Sequence, residues 1–160
     1  MTSFGKRGEG PEEMSSADCF RFISTDSIWT LDANRMRTTR WKIEQNMHKI
    51  TSVETVDMDK RLVRALDFYP MESGFLVTDY LGEYRQKWTD QQGKWINSTN
   101  EIPTRKYHEK ISRPILAQAW RSFIDYNPQK KILAMATQLG EVLEIYNFKD
   151  SVQFIIYGPH

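Results

Sequence analysis

Short apolar or alternating runs, each closed by turn residues, recur along the chain, and this period-two pattern predicts β-strands. The last stretch is the clearest. Residues 119–126 predict a strand, and Asn127-Pro128-Gln129-Lys130 a turn whose proline supplies the fixed φ of a type I second position. Residues 131–137 form the next strand, and Gln138-Leu139-Gly140 turns into 141–146, where Val142, Leu143 and Ile145 alternate with polar partners. A turn at Asn147-Phe148-Lys149-Asp150 leads to a fourth strand at 151–157. Four consecutive strands with tight turns make a meander, the unit of a propeller blade.

The middle of the chain repeats the scheme. Strands are predicted at 63–69, 74–79, 83–88 and 94–97, with turns at Pro70-Met71-Glu72-Ser73, Tyr80-Leu81-Gly82 and Asp90-Gln91-Gln92-Gly93. The first part fits more loosely, with strands at 19–23, 27–32, 35–43 and 49–56 and a turn at Ala33-Asn34. Helical periodicity is weak; residues 107–118 hold at most a short helix, interrupted by Pro114.

Repetition sharpens the picture. Leu81-Gly82-Glu83-Tyr84 and Leu139-Gly140-Glu141-Val142 occupy the same slot between second and third strands, and Ala33-Asn34-Arg35-Met36 fills it in the first unit. Gly10-Pro11 precedes the first unit and Gly158-Pro159 follows the last; three units of roughly 49 residues fill that span, near the ~40–50 of propeller blades. The expected fold is therefore all-β: antiparallel four-stranded meanders arranged as blades of an incomplete β-propeller. The blades are expected over 12–57, 61–103 and 117–157, with a linker or insertion near 104–116. Closed propellers use about four to eight blades. Three imply a fragment of a larger protein, or self-association through exposed apolar blade faces. A closed barrel is the other arrangement of such strands, but it needs no such period.

Composition narrows the partners. Aromatic residues make up 12% of the 160 positions, which suits pleated, half-buried surfaces. With 22 basic and 21 acidic side chains the net charge is +1, so no bulk electrostatic case for nucleic acid arises. No run reaches the ~18 apolar residues of a membrane helix, so membrane insertion is not expected. The N-terminus lacks a secretory signal, which by itself implies the cytoplasm. Cys19 is the one cysteine and reads as a small core residue, with no disulfide.

The opening Phe4-Gly5-Lys6-Arg7-Gly8-Glu9-Gly10-Pro11-Glu12-Glu13 resembles the G-x-G-P-x-E entry of six-bladed TolB-like β-propeller proteins common in Bacteroidetes. Asp125-Tyr126-Asn127-Pro128-Gln129-Lys130-Lys131-Ile132-Leu133-Ala134 is similar to their S-P-D-G-K strand-turn-strand element, with Gln129-Lys130 where Asp-Gly is usual. Leu139-Gly140-Glu141-Val142-Leu143-Glu144-Ile145-Tyr146 also looks like the family. The resemblance implies a secreted or envelope-anchored binding scaffold.

Candidate chemistry is sparse. A phosphate cradle at Gly8-Glu9-Gly10-Pro11 lacks a Lys-Ser/Thr pair, and Glu12 and Glu13 would repel the ligand. His48, His108 and His160 lack metal-ligand spacing, so no metal and no cofactor are expected. No nucleophile elbow occurs, and no catalytic residue is assigned. Asp32 and Asp79 both end second strands and could pair as acid and base, although such carboxylates more often satisfy turn N–H groups. Arg35, Arg37 and Arg40 beside Trp41 form the most basic stretch, read as a solvated strand face. Propeller topology gathers the loops between second and third strands on one surface, which makes Asn34, Tyr80 and Gln138 the ligand-binding candidates. The sequence thus predicts a non-enzymatic binding module for a protein, peptide or carbohydrate. The rival reading is part of a polysaccharide lyase or hydrolase whose catalytic residues lie partly outside the chain.

Overall fold

The computed structural model describes residues 6–8, 10, 13–44, 49–81, 83–102 and 111–158. A small parallel pair, β1 (Lys6–Arg7) and β2 (Glu13–Met14), opens the chain. The first four-stranded antiparallel sheet follows in sequence order: β3 (Cys19–Ser24), β4 (Ser27–Asp32), β5 (Arg37–Ile43) and β6 (Ile50–Asp57). A second comprises β7 (Ala65–Met71), β8 (Gly74–Asp79), β9 (Tyr84–Thr89) and β10 (Trp95–Glu101). The third holds β11 (Ser122–Asn127), β12 (Ile132–Thr137), β13 (Val142–Asn147) and β14 (Val152–Tyr157). Among the described residues each sheet pairs only within itself, so the strands form blades and not a closed barrel. Between the second and third sheets lies α1 (Arg113–Ala119), where Pro114 sits in the first turn. Pro114 therefore begins the helix instead of interrupting it, because a first-turn N–H has no intrahelical acceptor to lose.

The innermost strand of each blade is its first, and β7 lies against both β3 and β11. One polar knot ties all three. Arg21 of β3 donates through Nη2 to both carboxylate oxygens of Asp67 on β7, at 2.6 and 2.7 Å, and to the Ile124 carbonyl on β11 at 3.0 Å. Asp67 in turn accepts the Ile124 N–H at 3.0 Å and the Phe68 N–H at 2.8 Å. Its side chain is 6% exposed, so the charge is tolerable only because every lone pair direction is answered. Cys19 packs beside this knot, and burial drives its thiol well above the usual range, which fits a core residue and not a nucleophile.

The two seams between blades differ in chemistry. Trp29 and Leu31 of the first blade pack on Phe68, Phe75 and Val77 of the second, with Trp29 and Phe75 edge to face at 5.0 Å. Between the second and third blades, Leu76 joins Ile124, Leu133, Met135 and Tyr146. This seam also buries an ion pair, Arg85 to Glu144 at 2.5 Å, with both side chains under 5% exposed. Burial lowers the Arg85 pKa and raises that of Glu144, against the mutual attraction that opposes both shifts. Past the third blade, Phe123, Leu143 and Ile156 share one cross-strand row and stay exposed.

Three hairpins close on four-residue loops after Asp32, Asn127 and Asn147. Each loop ends on a left-handed residue that is not glycine: Met36 (φ 50°), Lys131 (φ 54°) and Ser151 (φ 55°). In the expected turn at residues 127–130 the left-handed position is thus Lys131, one place later. An L-residue there carries a steric penalty of about 1–2 kcal/mol that glycine avoids. Arg35 also lies in a loop, not on the β5 face assigned to it from alternation, and donates to the Gly8 and Glu13 carbonyls.

Two substitutions test this account by chemical denaturation. Asp67→Ala should cost about 3 kcal/mol, the range for stripping one partner from a buried pair. Lys131→Gly should stabilise the chain by about 1 kcal/mol, because Lys131 is exposed and its left-handed backbone is one that glycine adopts without strain.

Candidate functional site

The ends of the three innermost strands define two recesses. Asp18, Arg64 and Arg121 each immediately precede an innermost strand, so the blade repeat brings these non-adjacent positions to the same end. Backbone bonds fix Asp18, Arg121 and the residue before Arg64 to the second hairpin of their own blade: the Asp18 N–H reaches the Leu31 carbonyl at 2.9 Å, and the Gln138 N–H reaches the Arg121 carbonyl at 2.7 Å. In the second blade the Tyr80 N–H reaches the Val63 carbonyl at 2.9 Å. Asp18, Arg64, Ala65, Leu66, Tyr80 and Arg121 together line a polar cavity of about 70 Å³. Of the three candidates from loop topology, Tyr80 lines this cavity, with the Arg64 guanidinium 6.0 Å from its ring centre. Asn34 is exposed and donates to the Ser16 hydroxyl at 3.3 Å, while Gln138 projects to solvent, and neither lines the cavity.

At the opposite end lies a larger recess of about 420 Å³. Phe22, Tyr69 and Tyr126 arrive from β3, β7 and β11, and Trp29 and Phe75 sit beneath them at the first seam. Tyr69 and Tyr126 meet edge to face at 5.7 Å. Arg40, Glu54, Glu72 and Gln91 supply polar groups around these rings. Burial raises the Tyr69 and Tyr126 hydroxyl pKa values, so both are neutral donors at physiological pH. Sequence reading passed over this site because its rings are separated by about fifty positions and look like ordinary strand aromatics. The usable signal is their shared place at the far end of each first strand.

The two second-strand carboxylates are committed to structure. Asp32 accepts N–H bonds from Ser15 at 2.6 Å and Arg35 at 3.1 Å, together with the Ser15 and Ser16 hydroxyls. Asp79 accepts the Val63 and Leu81 N–H groups and pairs with the fully buried Lys87 at 2.7 Å. Arg37 and Arg40 pair across the sheet with Asp57 and Glu54, and Trp41 is buried with its Nε1 donating to Thr30 at 2.8 Å. Arg37 and Arg40 lie on opposite faces of β5, so in place of one solvated arginine face there are two separate cross-strand ion pairs. His48, His108 and His160 lie outside the described residues, as do Glu9, Pro11 and Glu12 of the glycine-rich opening.

The family model for TolB-like 6-blade propeller-like proteins matches residues 1–160. No curated protein matches the chain by sequence. Among solved structures, a Bacteroides fragilis protein assigned to export aligns with a TM-score of 0.49 at 10% identity, covering 96% of this chain. The chain spans 61% of that protein's length.

Acid sensitivity should follow from Asp32. Burial pushes its carboxyl up, but the bonds from Ser15, Arg35 and Ser16 outweigh burial and hold it below the ordinary 3.8. A depressed carboxyl stabilises the fold above its unfolded value and loses that contribution as pH falls through the folded one. Thermal midpoints measured from pH 6 downward should therefore drop below about pH 4, and Asp32→Asn should flatten that decline.

Proposed function

As a member of the TolB-like 6-blade propeller-like family this chain supplies a β-propeller module, and we propose that the module binds a carbohydrate strand without transforming it. The observation that carries this reading is the ring-lined recess formed by Phe22, Tyr69 and Tyr126 over Trp29 and Phe75. Its volume of about 420 Å³ falls in the ~300–1,000 Å³ range of ligand sites. Flat aromatic faces suit the C–H face of a sugar, and Arg40, Glu54, Glu72 and Gln91 offer donors and acceptors to its hydroxyls. Rigid strands hold these groups, as binding loops on a fixed scaffold require. The engagement of Asp32 and Asp79 in turn and lysine contacts supports binding over hydrolysis. A carbohydrate ligand also suits the cell-envelope or secreted setting that the family resemblance implies.

NMR titration with neutral oligosaccharides such as cellohexaose and mannohexaose tests the proposal. Tyr69→Ala and Tyr126→Ala should each weaken binding by about tenfold, the loss of one stacking platform. Unchanged affinity in both variants would refute the site, and release of shortened sugars over time would favour the lyase or hydrolase reading.

A further inference from the structure

We propose that the small cavity at the other end of the innermost strands is a separate site for a carboxylate with a hydroxyl or ammonium donor on one of the two carbons nearest to it. Its guanidinium groups come from two blades at equivalent positions, Arg64 before β7 and Arg121 before β11. Neither has an ion-pair partner among the described residues, whereas the other arginines described at the seams and across the sheets are paired with carboxylates. A guanidinium fork matches the two oxygens of a carboxylate in geometry as well as charge.

Two further features point to a ligand. Arg64 holds a left-handed backbone, φ 32°, that a non-glycine residue adopts against steric cost, and such strain gathers at functional positions. Its guanidinium lies 6.0 Å from the centre of the Tyr80 ring. The third equivalent position is acidic: Asp18 accepts the Ala33 N–H at 2.9 Å and the Ser16 hydroxyl at 2.5 Å, both on Oδ2. Its Oδ1 is left to receive a donor from the ligand. Two bases and one acid leave the opening with a net charge of +1, which a single carboxylate neutralises and a phosphate dianion overshoots. At about 70 Å³ the cavity holds roughly two waters' worth of volume, enough for the carboxylate head while the rest of the ligand stays outside.

Calorimetric titration of the 160-residue chain at pH 7 with D-glucuronate, D-glucose and inorganic phosphate tests the assignment. Glucuronate should bind, and glucose and phosphate should bind at least about tenfold more weakly. Arg64→Ala and Arg121→Ala should each weaken glucuronate binding by about tenfold with an unchanged circular dichroism spectrum. Asp18→Asn should weaken glucuronate more than acetate, which has no adjacent donor. The proposal is overturned if the folded chain ignores glucuronate, if phosphate binds more tightly, or if the double arginine variant binds glucuronate normally. It is overturned too if Tyr126→Ala abolishes glucuronate binding, which would place the sugar acid in the aromatic recess instead.

Discussion

The bond network of Arg21, Asp67 and the Ile124 backbone is the constraint on which the arrangement of blades rests. A four-stranded meander can satisfy its own ladder, but nothing within it specifies where the next meander sits. Here one carboxylate on the middle blade receives a guanidinium from the blade before and an N–H from the blade after. The short bonds fix both neighbours relative to a single atom group. Apolar packing then fills the space that this polar frame defines, with Trp29, Phe68 and Phe75 on one side and Leu76, Leu133 and Met135 on the other. Slippage of either neighbour by one residue would turn the wrong strand face inward and leave Asp67 buried without its partners.

The same frame explains why two recesses appear. Innermost strands held side by side present their first residues at one end and their last at the other. The residue types at those ends differ: charged at 18, 64 and 121, aromatic at 22, 69 and 126. One scaffold thereby offers a polar opening and a ring-lined one, separated by the length of a strand. Arg85 and Glu144 contribute at the outer part of the second seam, where Arg85 also lies 4.8 Å over the Trp120 ring and donates to the Ser122 hydroxyl at 2.7 Å. That contact set ties the chain emerging from α1 to the second blade, and so positions Arg121.

Much of the fold was legible because strands and their turns are local. Alternation in residues 141–146 and the Asn127-Pro128 and Asn147 turns mark hairpins from chemistry that acts over a few positions. The left-handed corners carry no such mark, since Met36, Lys131 and Ser151 take them without being glycine. Pro114 was misleading for a different reason: its effect depends on whether it falls in a helix's first turn, and no apolar period marked the start. At the candidate sites, Tyr80 could be reached through topology, but Arg64 and Arg121 could not. Each looks like a solvated residue before a strand, and only superposing the blades shows that they share a cavity. Arg21 and Asp67, 46 positions apart, carry no local sign of their partnership.

The contrast between the two seams implies that the molecule does not respond to temperature as one body. Contacts such as Trp29 with Phe75 draw on apolar burial, whose driving force fades on cooling. The penalty for dehydrating Arg85 and Glu144 shrinks on warming, so their pairing gains relative strength when the apolar seam gains little. Warming therefore strengthens the second seam relative to the first, and the line between the first and second blades becomes the weaker one as temperature rises.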